Sequence, residues 1–331
     1  MGSSVFPNLP PGEWVIVQFE NHDQNHGDSW PYTFADGWLM QGVSMQPLER
    51  NEEGNTFAKL ALLGSPRSGE NVDAFLRSLN DRYKAATHEW KVRVASLKPG
   101  EYYPRVHRPV TDIHVWPNPS PATIPPPMDD QLRDELARSA MQIASLTRRF
   151  DEICAYIHPD LANWHIYGIE SRNLLLLAAM EVEAQCRAIL KANSYSATND
   201  RFNTKDFVKL SAPLKLADYA VAFTQFPWIE PISPFFGWNV TNPSKSLDWY
   251  DAYNQTKHDR EANVAAGNVR NAASALCGGL SLLAAQVGPN EALNLDPSIG
   301  QRFRFWRAPS WHISDCYWSY AGQFVPKMLL L

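Results

Sequence analysis

The chain has 331 residues, with 30 Lys and Arg against 35 Asp and Glu for a formal net charge of −5, and it is 44% hydrophobic and 20% charged. Such a composition excludes a collagen, a long disordered chain and a bare coiled coil, and the length suggests two domains, either able to bury a core. A mildly acidic chain is no general coat for polyanions, so any nucleic-acid contact is confined to a local cationic patch. Aromatic residues and proline are abundant, with 12 Trp, 12 Tyr, 15 Phe and 25 Pro.

The start, Met1 to Pro7, has neither the basic nor the apolar run of a secretory signal. The longest apolar run, Leu174 to Met180, is far shorter than the ~20 residues that cross a bilayer. Cys154, Cys186, Cys277 and Cys316 are never paired at C-x-x-C spacing. They are expected as reduced core thiols of a cytoplasmic protein without membrane association.

Residues 1–103 read as a small α+β domain. Strands are expected at Trp14–Phe19, at Tyr32–Val43 with a break at Asp36-Gly37, at Phe57–Leu63 and at Trp90–Val94. Asn71–His88 has the spacing of an amphipathic helix. Eight prolines then fall between positions 104 and 127. Proline fixes φ and removes a donor, so 104–128 is predicted as an extended connector lying against a domain surface.

From residue 129 the pattern is helical. Leu132, Leu136, Ile143, Leu146, Phe150, Ile153 and Ile157 keep 3–4 spacing behind Asp129 and Asp130, and Pro159 ends the run. A second helix is predicted over Glu170–Ala192, apolar on nearly all sides at Leu174–Leu177 and so central to a bundle. A short helix is expected within Asn203–Leu210, and Leu214–Phe226 fits helix or strand equally. Prolines 227, 231, 234 and 243 impose a loop. A third helix begins near Ser246 and a fourth covers about Ala262–Val287. Gly278-Gly279 in the fourth costs about 1 kcal/mol per glycine against Ala and reads as close approach of another helix. The remainder, 291–331, is an aromatic tail expected to pack on the domains, with a strand at Arg302–Phe305.

The densest polar cluster runs from Trp249 to Arg260. Asn254 and His258 are four apart and share a helix face, with Tyr250 and Asp251 one turn earlier. Histidine titrates near neutrality and suits proton transfer, and Lys257 and Arg260 supply positive charge nearby. Glu181, in an apolar helix, needs a buried partner, for which Lys257, His258 and Arg187 are candidates. There it would act behind His258, or simply join two helices. His22-x-x-x-His26 reads as a solvated loop rather than a metal site. Arg302 to Arg307 alternates cations and aromatics, as a base-stacking segment or an edge strand would. Walker, dinucleotide-binding, zincin and nucleophile-elbow motifs are missing from the sequence, and no cofactor or metal is expected.

The segment Asp248-Trp249-Tyr250-Asp251-Ala252-Tyr253-Asn254-Gln255-Thr256-Lys257-His258-Asp259-Arg260, followed by a helix of small residues, resembles the motif helix of HEPN-type proteins. The upstream helix with Asn173–Leu177 and Glu181-Val182-Glu183 is similar to its partner helix. The resemblance covers roughly 129–290 and implies a HEPN-like helical bundle, a homodimer and an RNA or nucleotide partner. Ribonucleases of that family use a composite, metal-independent site, often R-N-x-x-x-H. Asn254 and His258 fit its last five positions, and Tyr253 stands where the arginine is usual.

The expected fold is thus mainly helical α+β, with boundaries at 1–103, 104–128, 129–290 and 291–331. Two functions are compatible with it. One is an RNA-directed effector of prokaryotic antiviral defence or toxin systems, an endoribonuclease with His258, Asn254 and Tyr253 at the site and Lys257 and Arg260 on the RNA backbone. The other is a catalytically inactive dimeric scaffold, nucleotide sensor or protein-binding partner.

Overall fold

Backbone pairing in the N-terminal region follows from alternating β-branched and aromatic residues. A computed structural model of the protein describes residues 15–21, 32–35, 38–41, 44–50, 56–58, 88–94, 96–97, 100–111, 126–259, 261–311, 315–318 and 324–331. The strands β1 (Val15–Asn21), β2 (Tyr32–Ala35), β3 (Trp38–Gln41), β4 (Ser44–Arg50), β5 (Thr56–Ala58) and β6 (His88–Val94) form one antiparallel sheet in the order β5-β4-β3-β2-β1-β6. Ala35 pairs with Trp38, so the stretch expected as one strand broken at Asp36-Gly37 is two paired antiparallel strands. Val15 to Asn21 pair residue for residue with Val94 to His88. Nearly all of the expected helix at 71–88, and the histidines 22 and 26, lie outside the described residues.

Two short strands follow, β7 (Glu101–Tyr102) and β8 (Val110–Thr111). The helical region then comprises α1 (Asp130–Tyr156), α2 (Ile169–Ala192) and the single-turn α3 (Thr204–Phe207). After β9 (Ala220–Phe223) come α4 (Asp248–His258), α5 (Val269–Val287), α6 (Pro289–Asn294) and α7 (Pro297–Arg302). The chain ends with β10 (Phe303–Arg307), β11 (Tyr317–Trp318) and β12 (Val325–Pro326). The fold is mainly helical α+β. No described helix is long and apolar enough to cross a membrane.

The chain divides into two units. One is Met1–Tyr102, Arg108–Pro126 and Trp311–Val325, and the other Tyr103–His107, Pro127–Ser310 and Pro326–Leu331. The proline-rich connector is therefore split, because its residues 104–107, 127 and 128 belong to the unit of the bundle. The aromatic tail is split as well. In the first unit β11 runs parallel to β8, and Val325 N–H donates to Gly100 O at 2.9 Å.

In the second unit Asp129 caps α1 by accepting Leu132 N–H at 2.7 Å. Leu136, Ile143, Leu146, Phe150 and Ile153 then bury one stripe. The most enclosed helix is α5, not α2. From Ala275 to Ala285 every α5 residue is buried, whereas Leu176 and Leu177 of α2 are only partly so. The ambiguous 214–226 stretch resolves into a turn at Leu216–Asp218 and β9, whose four residues are buried and pair with β10. Chain length decided it: a stretch of four enclosed residues suits a strand better than a helix.

Proline-rich segments carry more acceptors than donors, and indoles supply the difference. Trp228, Trp238 and Trp249 donate their Nε1–H to the carbonyls of Pro159, Pro243 and Pro234, at 2.7, 2.8 and 2.7 Å. These bonds shape the loop that leads into α4. Asn193, at the end of α2, accepts Leu329 N–H and donates to Pro104 O, tying both the strap and the C-terminal residues to the bundle.

The glycine pair in α5 has a different reason from the one its sequence suggests. A Cβ on Gly278 would lie 3.4 Å from Val182 Cγ2, and one on Gly279 would lie 3.8 Å from Glu181 Cγ, which are ordinary contacts. No helix approaches closely enough to demand either glycine. Gly288 is demanded: its φ is +99°, and a Cβ there would lie 2.9 Å from the His107 ring. Gly279→Ala is expected to stabilise the protein by about 1 kcal/mol, and Gly288→Ala to cost more than about 1 kcal/mol. Urea denaturation of both variants checks this, and a destabilised Gly279→Ala protein would refute the assignment.

Candidate functional site

The segment before α4 ends at Leu247, which offers no side-chain cap. Asp248 and Asp251 in the first turn, and Lys257 and His258 in the last, suit the helix dipole. Trp249, Tyr250, Ala252, Tyr253 and Thr256 form the buried face. This spacing leaves Asn254 half-buried and Lys257 and His258 exposed.

The buried face holds a connected polar cluster. Tyr250 donates its hydroxyl to Glu183 Oε1 of α2 at 2.7 Å. Thr204 donates to that same hydroxyl at 3.4 Å and receives Ser244 Oγ at 3.2 Å. Burial above all pushes the Tyr250 phenol well above its ordinary value, and the Glu183 charge adds to this, so it remains a donor. One turn on, Lys257 Nζ lies 3.1 Å from the Tyr253 hydroxyl and over its ring, 5.1 Å from the centroid. That hydrogen bond raises the Lys257 ammonium above the usual lysine value, against some desolvation and with help from the Glu183 charge. The lysine is therefore cationic at neutral pH.

Tyr253, at the position of the expected arginine, is 2% exposed. Its rings and those of Tyr250 meet edge to face, 5.5 Å apart. Asn254 and His258 keep the four-residue spacing read from the sequence, at the open end of the helix. Arg260 lies outside the described residues.

Glu181 is not tied to any of the three cations proposed for it. Its carboxylate accepts Gln185 Nε2–H at 2.9 Å and a hydrogen bond from Ser139, and among the described residues it makes no ion pair. A buried relay continues from there. Gln286 Nε2 donates to Gln185 Oε1 at 3.0 Å, Arg105 Nε donates to Gln286 Oε1 at 2.8 Å, and Arg105 Nη1 pairs with Glu135. Gln131 and Arg105 together hold the Glu135 carboxyl below its ordinary range.

The acid that the site does use is Glu183, and sequence reasoning treated it only as half of a pair. Its signal was the two-residue offset from Glu181, which turns it about 200° around α2, toward α4. Thr204 and Ser244 had no signal, since both are small polar residues in loop-like sequence. The four cysteines are free; burial raises Cys154 to about 12 and holds Cys186 and Cys277 well above the ordinary thiol value. Such thiols are poor nucleophiles. Among the described residues no three His, Cys, Asp or Glu side chains are grouped to hold a metal ion.

Comparison with protein-family models, with curated proteins and with solved structures returned no match.

Two variants test the cluster. Tyr250→Phe leaves the Glu183 carboxylate without its donor, so a loss of about 1–2 kcal/mol is expected in urea unfolding. Desolvation raises the Glu181 carboxyl, so the folded chain holds that proton more tightly than the unfolded chain does. Its contribution to stability is therefore largest below the ordinary glutamate value of about 4.3 and is lost as pH rises through the raised one. Glu181→Gln should accordingly be more stable than the parent at pH 7 and not at pH 4. Parallel unfolding curves at both values would show that the carboxylate is solvated.

Proposed function

We propose that the bundle is a HEPN-like module that acts as a dimer and engages RNA through the last turn of α4 without cutting it. The observation that carries this is the Tyr253 side chain. Where a ribonuclease of that type needs a guanidinium aimed at the scissile phosphate, this chain has a buried phenol already bonded to Lys257. Charge developing on phosphorus needs donors fixed at its position, and a phenol in that environment supplies little. The exposed Lys257 and His258 suit a contact to phosphate, which fixes position without requiring chemistry. A place in prokaryotic defence or toxin systems rests on the same resemblance.

A metal-independent endoribonuclease is the second reading. In its favour, Lys257 brings a cation to 3.1 Å from the Tyr253 hydroxyl, beside the family's arginine position. In that case His258 is the acid or base and Asn254 orients it or the phosphate.

Labelled single-stranded RNA in chelator separates the two. Fluorescence anisotropy should show binding that weakens steeply with salt and falls several-fold in Lys257→Ala, while gels show intact RNA. Cleavage that disappears in His258→Ala would replace the first reading by the second. An absence of both binding and cleavage would defeat both.

A further inference from the structure

We propose that the cleft at the start of α4 binds a zwitterion with an apolar side chain, either an amino acid or a dipeptide. The cleft has a volume of about 380 Å³ and is enclosed by the turn at Leu161–Trp164, the proline loop of residues 230–236, the first residues of α4 and the first two turns of α5. That volume lies within the usual range of small-molecule sites, roughly 300–1,000 Å³. Its lining includes two carboxylates, Glu230 and Asp248, and one guanidinium, Arg270. All three are exposed, and among the described residues none makes an ion pair or a side-chain hydrogen bond. Opposite charges that share one cleft yet leave each other unpaired offer separate partners to a ligand carrying both signs.

The apolar lining sets the rest of the ligand. Leu161 and Phe236 remain 63% and 72% exposed, and the buried Trp249 adds apolar lining with its N–H already bonded to Pro234. An apolar side chain covers that surface and needs no further hydrogen bond. A carboxylate then meets Arg270 in a charge-assisted contact, and an ammonium meets Asp248 or Glu230. A mononucleotide suits the cleft less well, because its phosphate would satisfy Arg270 while both carboxylates stay without a cation. Asp248 and His258 are separated by about 15 Å of helix rise, so the site does not depend on the RNA reading.

Titration calorimetry with the full chain tests the assignment. The probes are L-phenylalanine, the dipeptide Leu-Phe, phenylalaninamide, N-acetylphenylalanine and AMP. The two zwitterions should bind, and the two blocked compounds at least tenfold more weakly. Arg270→Gln should weaken L-phenylalanine at least tenfold but leave phenylalaninamide unchanged, and the double variant Glu230→Gln/Asp248→Asn should weaken L-phenylalanine and leave N-acetylphenylalanine unchanged. Circular dichroism confirms that both variants fold. Binding of neither zwitterion, equal binding of the blocked compounds, tighter binding of AMP, or folded variants that bind like the parent would each overturn the proposal.

Discussion

The amide of Gln286 joins three stretches of chain that are far apart in sequence. It accepts from Arg105 in the strap, donates to Gln185 of α2 and sits in α5, the helix with no exposed face along its second half. A polar group in such a place is expensive unless all its hydrogen bonds are made. The relay meets that condition because Glu135 at the rim neutralises Arg105 and Glu181 ends the line on the far side of Gln185. Arg105 itself has a positive φ of 57°, an uncommon conformation for a residue with a side chain, and the guanidinium bonds show what holds it there. The strap is thus anchored by geometry that the apolar core alone would not specify.

Placing α4 against this core explains why one helix presents two kinds of chemistry. Its inner face is committed to the bundle through Trp249, Tyr250 and Tyr253, with Glu183 as the receiving group. Its ends are free. The last turn carries Lys257 and His258, and the first carries Asp248 beside the cleft that Arg270 shares. A ligand bound at either end, as proposed, would meet groups whose backbone is fixed by the same buried aromatic residues, the rigidity that a binding site needs from its scaffold.

Much of the helical architecture was legible because it depends on local pattern. The stripe from Leu136 to Ile153 and the acids Asp129 and Asp130 at its start gave α1 to within a few residues, and the Arg302–Phe305 alternation gave β10. What was missed depends on partners distant in sequence. The strand Ser44–Arg50 contains Pro47 and ends in charged residues, so only its neighbours on both sides make it a strand. The fourth helix was read as starting at 262, but Asn268 caps a separate beginning after a turn at Val264–Ala266. Within the site, the four-residue spacing of Asn254 and His258 was visible, since it is helix geometry. The choice of Glu183 over Glu181 was not, because it turns on which face of α2 meets α4. The glycines of α5 show the same limit: sequence can register that Gly279 is unusual, but only the distance to Glu181 and Ile143 shows that space remains.

The indole bonds to proline carbonyls link the two excesses in the composition, and their dependence runs one way. The acceptor in each pair is backbone oxygen, which any residue would provide, whereas the donor is a side chain that only tryptophan supplies with that reach. A chain of this kind can therefore drift at Pro159, Pro234 or Pro243 and keep the bond. It cannot drift at Trp249 without stranding the buried Pro234 oxygen, whereas water can take the place of the half-exposed Trp228. Over evolutionary time Trp249, rather than the Pro234 whose oxygen it holds, should be the slower of the two to change.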